Sequence, residues 1–309
     1  MPDALISVVM ACHNAAPFVR EAVDCVLGQS HPEIELIVVD DGSTDASRDI
    51  LRSYGDRIRL IEQANAGPYP ARNRGLGAAR GEFVAFLDAD DWWDRQALEK
   101  MHDALVANDA DLAYCGWQNV GEGVVAAPYV PPAYERQDAV ADFVRSCPWP
   151  IHGALMRRSL VERLGGFSVR RFSSMDYDLW LRTLALTRNI VRVPEVLAFY
   201  RWHGSGQVSA VKWRQVLDAL AAQRDFIAAN PQLVAHLTPA YLHDVTEGQV
   251  LRQAYRAFWK RDLLSAQKLF RHAAWSRACG LRDLRYVLCA LLPMPVYRRL
   301  VAAVDEAQP

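Results

Sequence analysis

The sequence predicts an α/β fold, a mostly parallel, doubly wound sheet flanked by helices, followed by a helical C-terminal region. Three observations carry this expectation. Short apolar runs alternate with amphipathic helical stretches through the first hundred residues or so. The run Phe83-Val84-Ala85-Phe86-Leu87 shows no in-out alternation, as a strand covered by helices on both faces should. From Lys212 onward the pattern is helical, divided at Pro231 and Pro239. At 309 residues, 51% hydrophobic and with a net charge of -1, the chain has an ordinary globular composition and length enough for one large domain or two small ones. No nucleic-acid partner is expected.

Taken in order, Ile6 to Ala11 reads as the first strand and ends in Cys12-His13-Asn14. Pro17 then opens a helix with Val19, Ala22, Val23, Val26 and Leu27 on one face. A second strand, Ile34 to Val39, ends in Asp40-Asp41-Gly42-Ser43-Thr44-Asp45, where Ser43 or Thr44 is placed to cap the next helix, which Gly55 stops. Ile58 to Ile61 is a third strand. Asn65-Ala66-Gly67-Pro68 is a turn, and Pro70 starts a helix through Ala71-Arg72-Asn73-Arg74 that closes near Gly81. In such sheets ligands bind beyond the carboxyl ends of the strands. His13, Asp41 and Asp88 all stand at such ends.

The strand Phe83 to Leu87 delivers Asp88, Asp90 and Asp91 within four positions. Such a cluster repels itself unless a cation or a set of donors neutralises it, and hard divalent cations prefer oxygen ligands. If the backbone stays extended, Asp88 and Asp90 point the same way, one available to a metal and the other to a sugar hydroxyl. The alternative is a helix N-cap at Asp91 or Asp94, but capping needs one carboxylate rather than three.

Past Asp111 the rhythm changes. Leu112 to Trp117 reads as a strand, and a Gly/Pro-rich loop covers about 121 to 133. Cys147-Pro148-Trp149-Pro150-Ile151-His152-Gly153 is an irregular, aromatic-walled segment before the apolar Ala154-Leu155-Met156. Leu164-Gly165-Gly166-Phe167 marks a turn, and Asp176 to Arg182 lies on a helix. Val191 to Tyr200 reads as a strand broken by Pro194, leading into Arg201-Trp202-His203-Gly204-Ser205. Ala254 to Ala274 has the pattern of a single helical hairpin, which is not a repeat array.

With these pieces placed, residues 5 to 210 resemble a family 2 glycosyltransferase of the GT-A fold, an inverting enzyme with a Rossmann-like sheet. The resemblance rests on six ordered motifs. They are Ile6-Ser7-Val8-Val9 to Asn14, Val38-Val39-Asp40-Asp41-Gly42-Ser43-Thr44-Asp45, Asn65-Ala66-Gly67 with Ala71-Arg72-Asn73, Phe86-Leu87-Asp88-Ala89-Asp90-Asp91, Asp176-Tyr177-Asp178-Leu179-Trp180-Leu181-Arg182 and Tyr200-Arg201-Trp202-His203. It implies a GT-A domain over residues 1–210, with a nucleotide-sugar-binding half to about 100 and an acceptor half from 101, and a helical region over 211–309. It also implies transfer of a sugar from a nucleotide diphosphate donor, preferably UDP-linked, to a hydroxyl of a glycan or lipid-linked acceptor, as in cell-envelope or exopolysaccharide synthesis.

By this resemblance Ala11, His13, Asp41, Arg72 and Asp88 bind the donor. Asp41 meets the nucleobase edge, Asp88 lies near the ribose, and the imidazole of His13 stands where an aromatic ring often stacks on the base. Arg72 contacts base or diphosphate, or else makes a helix salt bridge. Asp90 and His203 hold a Mn²⁺ or Mg²⁺ ion, imidazole favouring Mn²⁺. Where the family usually presents an acidic pair, this chain has Met175-Asp176, so Asp176 is the candidate base and Asp178 a structural helix residue. Trp149, His152 and Trp180 either line an acceptor site or belong to the core. A catalytically impaired sugar-nucleotide binder of the same fold is the alternative that Met175 raises. A phosphoacceptor receiver is disfavoured because the first strand ends in Cys-His-Asn, and a nucleotidyltransferase because no Gly-rich basic loop follows that strand.

Charge is unevenly spread. Residues 256–300 hold ten Lys/Arg against Asp262 and Asp283 alone, whereas residues 1–255 hold 25 basic against 32 acidic residues. That end of the chain suits either an anionic membrane surface or a solvated helical face. The six cysteines show no ligand spacing and read as small buried hydrophobes in a reduced compartment. No signal peptide is apparent and the run Tyr286 to Pro295 is too short to span a bilayer, so a cytoplasmic protein, peripheral on the cytoplasmic face of a membrane, is expected.

Overall fold

Strand β1 (Ile6–Cys12) is buried almost end to end, with a strand paired to each of its edges and both faces of the sheet covered. In the computed structural model, which describes residues 4–121, 124–203, 212–276 and 278–306, β2 (Ile34–Asp41) and β4 (Phe83–Asp88) run parallel to it. Their register sets Ala11 opposite both Val39 and Asp88. β3 (Arg59–Gln63) extends the parallel half beyond β2. The sheet continues through β8 (Ala154–Arg157), antiparallel to β4, then β6 (Leu112–Gly121), β9 (Ile190–Trp202) and β5 (Trp92–Trp93), in the order β3-β2-β1-β4-β8-β6-β9-β5, with β7 (Val124–Val125) against β6.

Pro194 does not break its strand. The pairing of β6 with β9 jumps from Cys115↔Val193 to Gly116↔Val196, so the proline, which has no N–H to give a ladder, sits in a bulge and β9 runs on to Trp202. This extension carries the chain to His203.

Helices cover the sheet as the patterning predicts. Helix α1 (Val19–Leu27) buries Val19, Ala22, Val23 and Val26. α2 (Ser47–Arg52) is not capped by Ser43 or Thr44. Asp45 accepts from the Ser47 N–H at 2.9 Å, while Ser43 and Thr44 are drawn instead to Asn14 at the end of β1. α3 (Pro68–Leu76) lies close on β1 and β2 because Gly75 has no side chain, and a Cβ there would meet Val9 Cγ1 at 2.4 Å. α4 (Ala97–Ala107) buries Leu98, Met101 and Leu105. α5 (Ala139–Arg145), α6 (Arg158–Arg163) and α7 (Met175–Leu186) follow around the second half of the sheet. In α7, Asp178 is buried and paired with Arg182 at 2.7 Å, which fits the structural role expected of it.

The chain clusters into two units. One comprises Met1–Phe143, Cys147–Arg170 and Met175–Gly204, and the other Val144–Ser146, Arg171–Ser174 and Ser205–Pro309. The helical unit contains α8 (Lys212–Ala229), α9 (Pro239–His243), α10 (Gln249–Trp259), α11 (Leu263–Trp275), α12 (Leu284–Leu291) and α13 (Met294–Glu306). Segment 171–174 joins it because Asp218 of α8 accepts from both the backbone N–H and the hydroxyl of Ser173, at 2.9 and 2.7 Å. α10 and α11 form the expected hairpin, with Asp262 capping α11 through the Ser265 N–H, over a core that includes Leu220, Ala254, Leu269 and Phe270. Among the described residues no helix is long and apolar enough to cross a membrane. All six cysteines are free, but only Cys12 and Cys115 are fully buried, and Cys147 is exposed rather than packed.

Candidate functional site

Three strand ends build the site, each held by the next. At the end of β1, Asn14 takes a positive φ of 51° and its side-chain oxygen accepts from the Thr44 N–H at 2.8 Å. His13 is thereby held over the end of β2, with its Nδ1 2.8 Å from the Asp41 carbonyl oxygen. Asp41 itself is buried. Its Oδ1 accepts from Gln63 Nε2 and the Ala66 N–H, and its Oδ2 from the Gly67 N–H, all at 2.8 Å. One carboxylate thus shapes the Asn65-Ala66-Gly67 turn beside it. Gly42, at φ 73°, permits the approach, since a Cβ there would lie 2.7 Å from the Asn65 nitrogen.

Asp88 ends β4, in register with Ala11, and forms an ion pair with Arg72 of α3. Arg72 is buried, with its guanidinium 5.3 Å from the centre of the Tyr69 ring and 5.5 Å from that of Phe167. The salt bridge therefore forms, but across to the sheet rather than along the helix. Asn73 beside it donates to the Phe167 carbonyl and accepts from the Phe167 N–H, both at 2.8 Å, which pins the Gly165-Gly166 turn to α3.

The backbone does not stay extended after Asp88. The Asp91 N–H donates to the Asp88 carbonyl at 3.1 Å, closing a turn that sends the three carboxylates to three different partners. Asp88 takes Arg72. Asp90 lies 2.9 Å from His203 Nε2. Asp91, almost wholly buried, accepts from the Arg201 N–H at 2.8 Å and lies 3.1 Å from His152 Nδ1. Each carboxylate thus has a protein neighbour of its own, but among the described residues only Asp88 faces a guanidinium. Burial, then the Asp88 charge, still pushes the Asp90 carboxyl up, with His203 pulling the other way. Burial pushes the His152 imidazole down to about 4, so it is neutral at pH 7.

Arg201 completes this corner. Its guanidinium donates to the Asp90 carbonyl at 2.8 Å and to Glu21 at 2.7 Å, and lies 4.3 Å from the centre of the Trp92 ring. The His203 ring stands 4.8 Å from that of Phe18. Asp90 and His203 offer one oxygen and one nitrogen. Among the described residues no group of three or more ligating side chains gathers. Such a pair fits a cation that takes its remaining ligands from a diphosphate and water, as Mg²⁺ and Mn²⁺ at nucleotide sites do.

Asp176 lies half-buried in the first turn of α7, after Ser174 at φ 58°. Burial raises its carboxyl above the usual range, opposed by the Tyr177 N–H and Arg72 and assisted by Asp88. It therefore shares the electrostatic field of the strand-end residues. The neighbouring Met175 is fully buried, and its N–H points to the Tyr69 hydroxyl at 3.4 Å.

The three acceptor candidates are corrected. Trp149 and Trp180 are 1% and 0% exposed and belong to an interior aromatic cluster with Tyr114, Tyr134 and Phe143. The Trp180 indole donates to the Trp149 carbonyl at 3.1 Å. His152 is equally buried, against Asp91. None has a ring face open to a sugar. Sequence patterning passes over Arg201 and Tyr69 as parts of this corner. Arg201 lies inside the Tyr200-to-His203 motif, which is the one signal that marks it.

Known proteins resemble this chain to different extents. The family model described as Glycosyl transferase family 2 matches residues 7–173. TuaG of Bacillus subtilis, named for teichuronic acid biosynthesis, is 30% identical over 217 residues, covering 68% of this chain and 83% of TuaG. Glycosyltransferase GlyA of Streptococcus pneumoniae is 28% identical over 250 residues, covering 74% of this chain but only 35% of GlyA. Residues 1–349 of S. aureus TarS, solved with UDP-GlcNAc, superpose with a TM-score of 0.66 at 18% identity, over 98% of this chain and 92% of that one. The mannosyltransferase PcManGT of Pyrobaculum calidifontis, solved with GDP-Man and Mn²⁺, gives 0.58 at 22% identity, over 99% and 87%. At these identities the structural likeness shows the fold, which is GT-A.

Proposed function

This chain belongs to glycosyl transferase family 2, and from that premise we propose that it moves a sugar, with inversion, from a UDP-linked donor to a hydroxyl of a glycan or lipid-linked acceptor. The observation that carries the reading is the convergence of His13, Asp41, Asp88 and Asp90 at neighbouring strand ends, with His203 returned to Asp90 by β9. In this reading Ala11, His13 and Asp41 face the nucleobase, and Asp88 with Arg72 the ribose and diphosphate. Residues 1–100 form the donor half and 101–210 the acceptor half. A divalent cation held by Asp90 and His203 would stabilise charge on the leaving diphosphate.

Asp176 acts as base. It takes the proton of the acceptor hydroxyl as that oxygen bonds to the anomeric carbon, on the face opposite the breaking bond to diphosphate. A carboxyl raised by burial is better matched to this task than an ordinary one. TuaG's name supports an acceptor in cell-envelope polysaccharide, and the TarS and PcManGT complexes support a nucleotide-sugar donor. We place the enzyme in the cytoplasm, against the membrane face that offers lipid-linked acceptors.

Nucleotide release from a panel of sugar nucleotides tests the reading. UDP release with one donor, lost on Asp90→Ala together with Mn²⁺-dependent nucleotide binding, is the expected result. Equal nucleotide affinity by calorimetry with chelator and with Mn²⁺ would remove the metal from it. The buried Met175 in place of an acid favours one second reading, a sugar-nucleotide binder without transfer. Tight donor binding with no release for any acceptor would select it.

A further inference from the structure

The helical unit presents a face that a water-soluble helix pair does not need. Helix α12 packs inward through Val287 and Ala290, which share the core of the unit with Phe270 and Tyr297. Its opposite face carries Leu284, Leu288 and Leu291 at spacings of four and three, a single helical stripe, and they are 43%, 59% and 48% exposed. Leu281 just before the helix is 88% exposed, and on α13 Val296 and Leu300 are exposed beside Arg298 and Arg299. Scattered exposed leucines need no explanation, but a periodic stripe on one helix, with further exposed apolar residues on the next, is the mark of a contact surface.

Charge identifies what it contacts. Arg282 and Arg285, beside the first leucine of the stripe in sequence, and Arg298 and Arg299 of α13 are exposed; Arg277, of the same basic set, lies outside the described residues. The two acids in 256–300 are engaged within the unit. Asp262 accepts from the Ser265 N–H at 3.1 Å, and Asp283 accepts from the Tyr255 hydroxyl and the Gly280 N–H at 2.5 and 2.7 Å. Over 281–300 the face is therefore apolar with a cationic rim, and the two acids of α13, Asp305 and Glu306, stand only at the helix's C-terminal end. A second copy docked across a two-fold axis would set these arginines against the same arginines. A bilayer bearing anionic headgroups meets both demands, leucines entering the acyl boundary and arginines the phosphate layer.

We propose that the outer face of α12 and α13 is the surface by which this protein rests on an anionic membrane without crossing it. The inference deepens the peripheral placement given above and is independent of the donor chemistry. Co-sedimentation of the full chain with phosphatidylglycerol-containing vesicles and with phosphatidylcholine vesicles, at low and high salt, tests it. Binding to the anionic vesicles alone, weakened by salt, is expected. The triple variant Leu284→Gln/Leu288→Gln/Leu291→Gln should lower partition by about tenfold or more, and Arg298→Ala/Arg299→Ala by about tenfold. Far-UV circular dichroism checks the fold, and should the triple variant misfold, Leu288→Gln alone should still bind measurably less. Unchanged partition of a folded triple variant, or equal binding to neutral vesicles, overturns the proposal. So does a dimer in light scattering that the triple variant dissolves, which would assign the face to a second copy. Nucleotide release measured without vesicles reports on the transferase reading separately, so either can fail alone.

Discussion

Asp91 is the carboxylate to which the proposed chemistry gives no direct part, and its replacement tests how this corner is held. Asp91→Ala strands one buried partner, the Arg201 N–H, now bonded at 2.8 Å, and removes the carboxylate oxygen that lies 3.1 Å from His152 Nδ1 without hydrogen-bond geometry. A buried polar group left without a partner costs about 1–3 kcal/mol. Relief of the buried carboxylate's own desolvation offsets part of that. A net cost of about 1–2 kcal/mol is expected. Asp91→Asn should behave differently. Its amide oxygen can still accept from the Arg201 N–H, and its NH₂ can donate to the imidazole, which burial keeps neutral with a lone pair available. Its cost should be about 1 kcal/mol or less. Urea unfolding followed by tryptophan fluorescence gives both values. Because Arg201 and His203 are two residues apart on one chain end, Mn²⁺-dependent nucleotide binding should weaken in the alanine variant and persist in the asparagine one. Equal destabilisation by Ala and Asn, or less than about 0.5 kcal/mol for Ala, would refute the clamp.

Asp176→Asn should preserve donor binding and cost about two orders of magnitude or more in transfer. With the folded pKa raised, the wild-type rate should fall as pH drops through a value above the ordinary 3.8, where the base takes up a proton. The sign for stability is opposite, since the folded state binds the proton more tightly than the unfolded chain. Wild type therefore loses stability as pH rises from 3.8 through the raised pKa, and urea midpoints of the Asn variant should lack that fall. Near wild-type transfer by the variant would move the base elsewhere, with Asp178 the next to test. Gly75→Ala should destabilise by about 1–3 kcal/mol, because its Cβ would collide with Val9 Cγ1 at the contact of α3 with β1. Thermal unfolding unchanged within error would contradict that packing.

The order of elements and the strand ends that carry His13, Asp41 and Asp88 were legible from periodicity, because each is written in neighbouring residues. The family could likewise be read from short motifs in order. What periodicity could not contain was partner choice across the chain. Three adjacent carboxylates looked like one cluster in want of a cation, yet the turn after Asp88 sends them to Arg72, His203 and Arg201 with His152. Aromatic residues at Trp149 and Trp180 read equally as a sugar platform or as core, since an aromatic ring serves both and only burial separates them. Pro194 looked like a strand end because the residue forbids a ladder bond, and only the pairing with β6 shows the bulge that absorbs it. The leucines of α12 reverse the case. Their spacing lies in the sequence, but which side of the helix the core claims is settled by the burial of Val287 and Ala290 in the core that holds Phe270 and Tyr297, leaving the leucines outside.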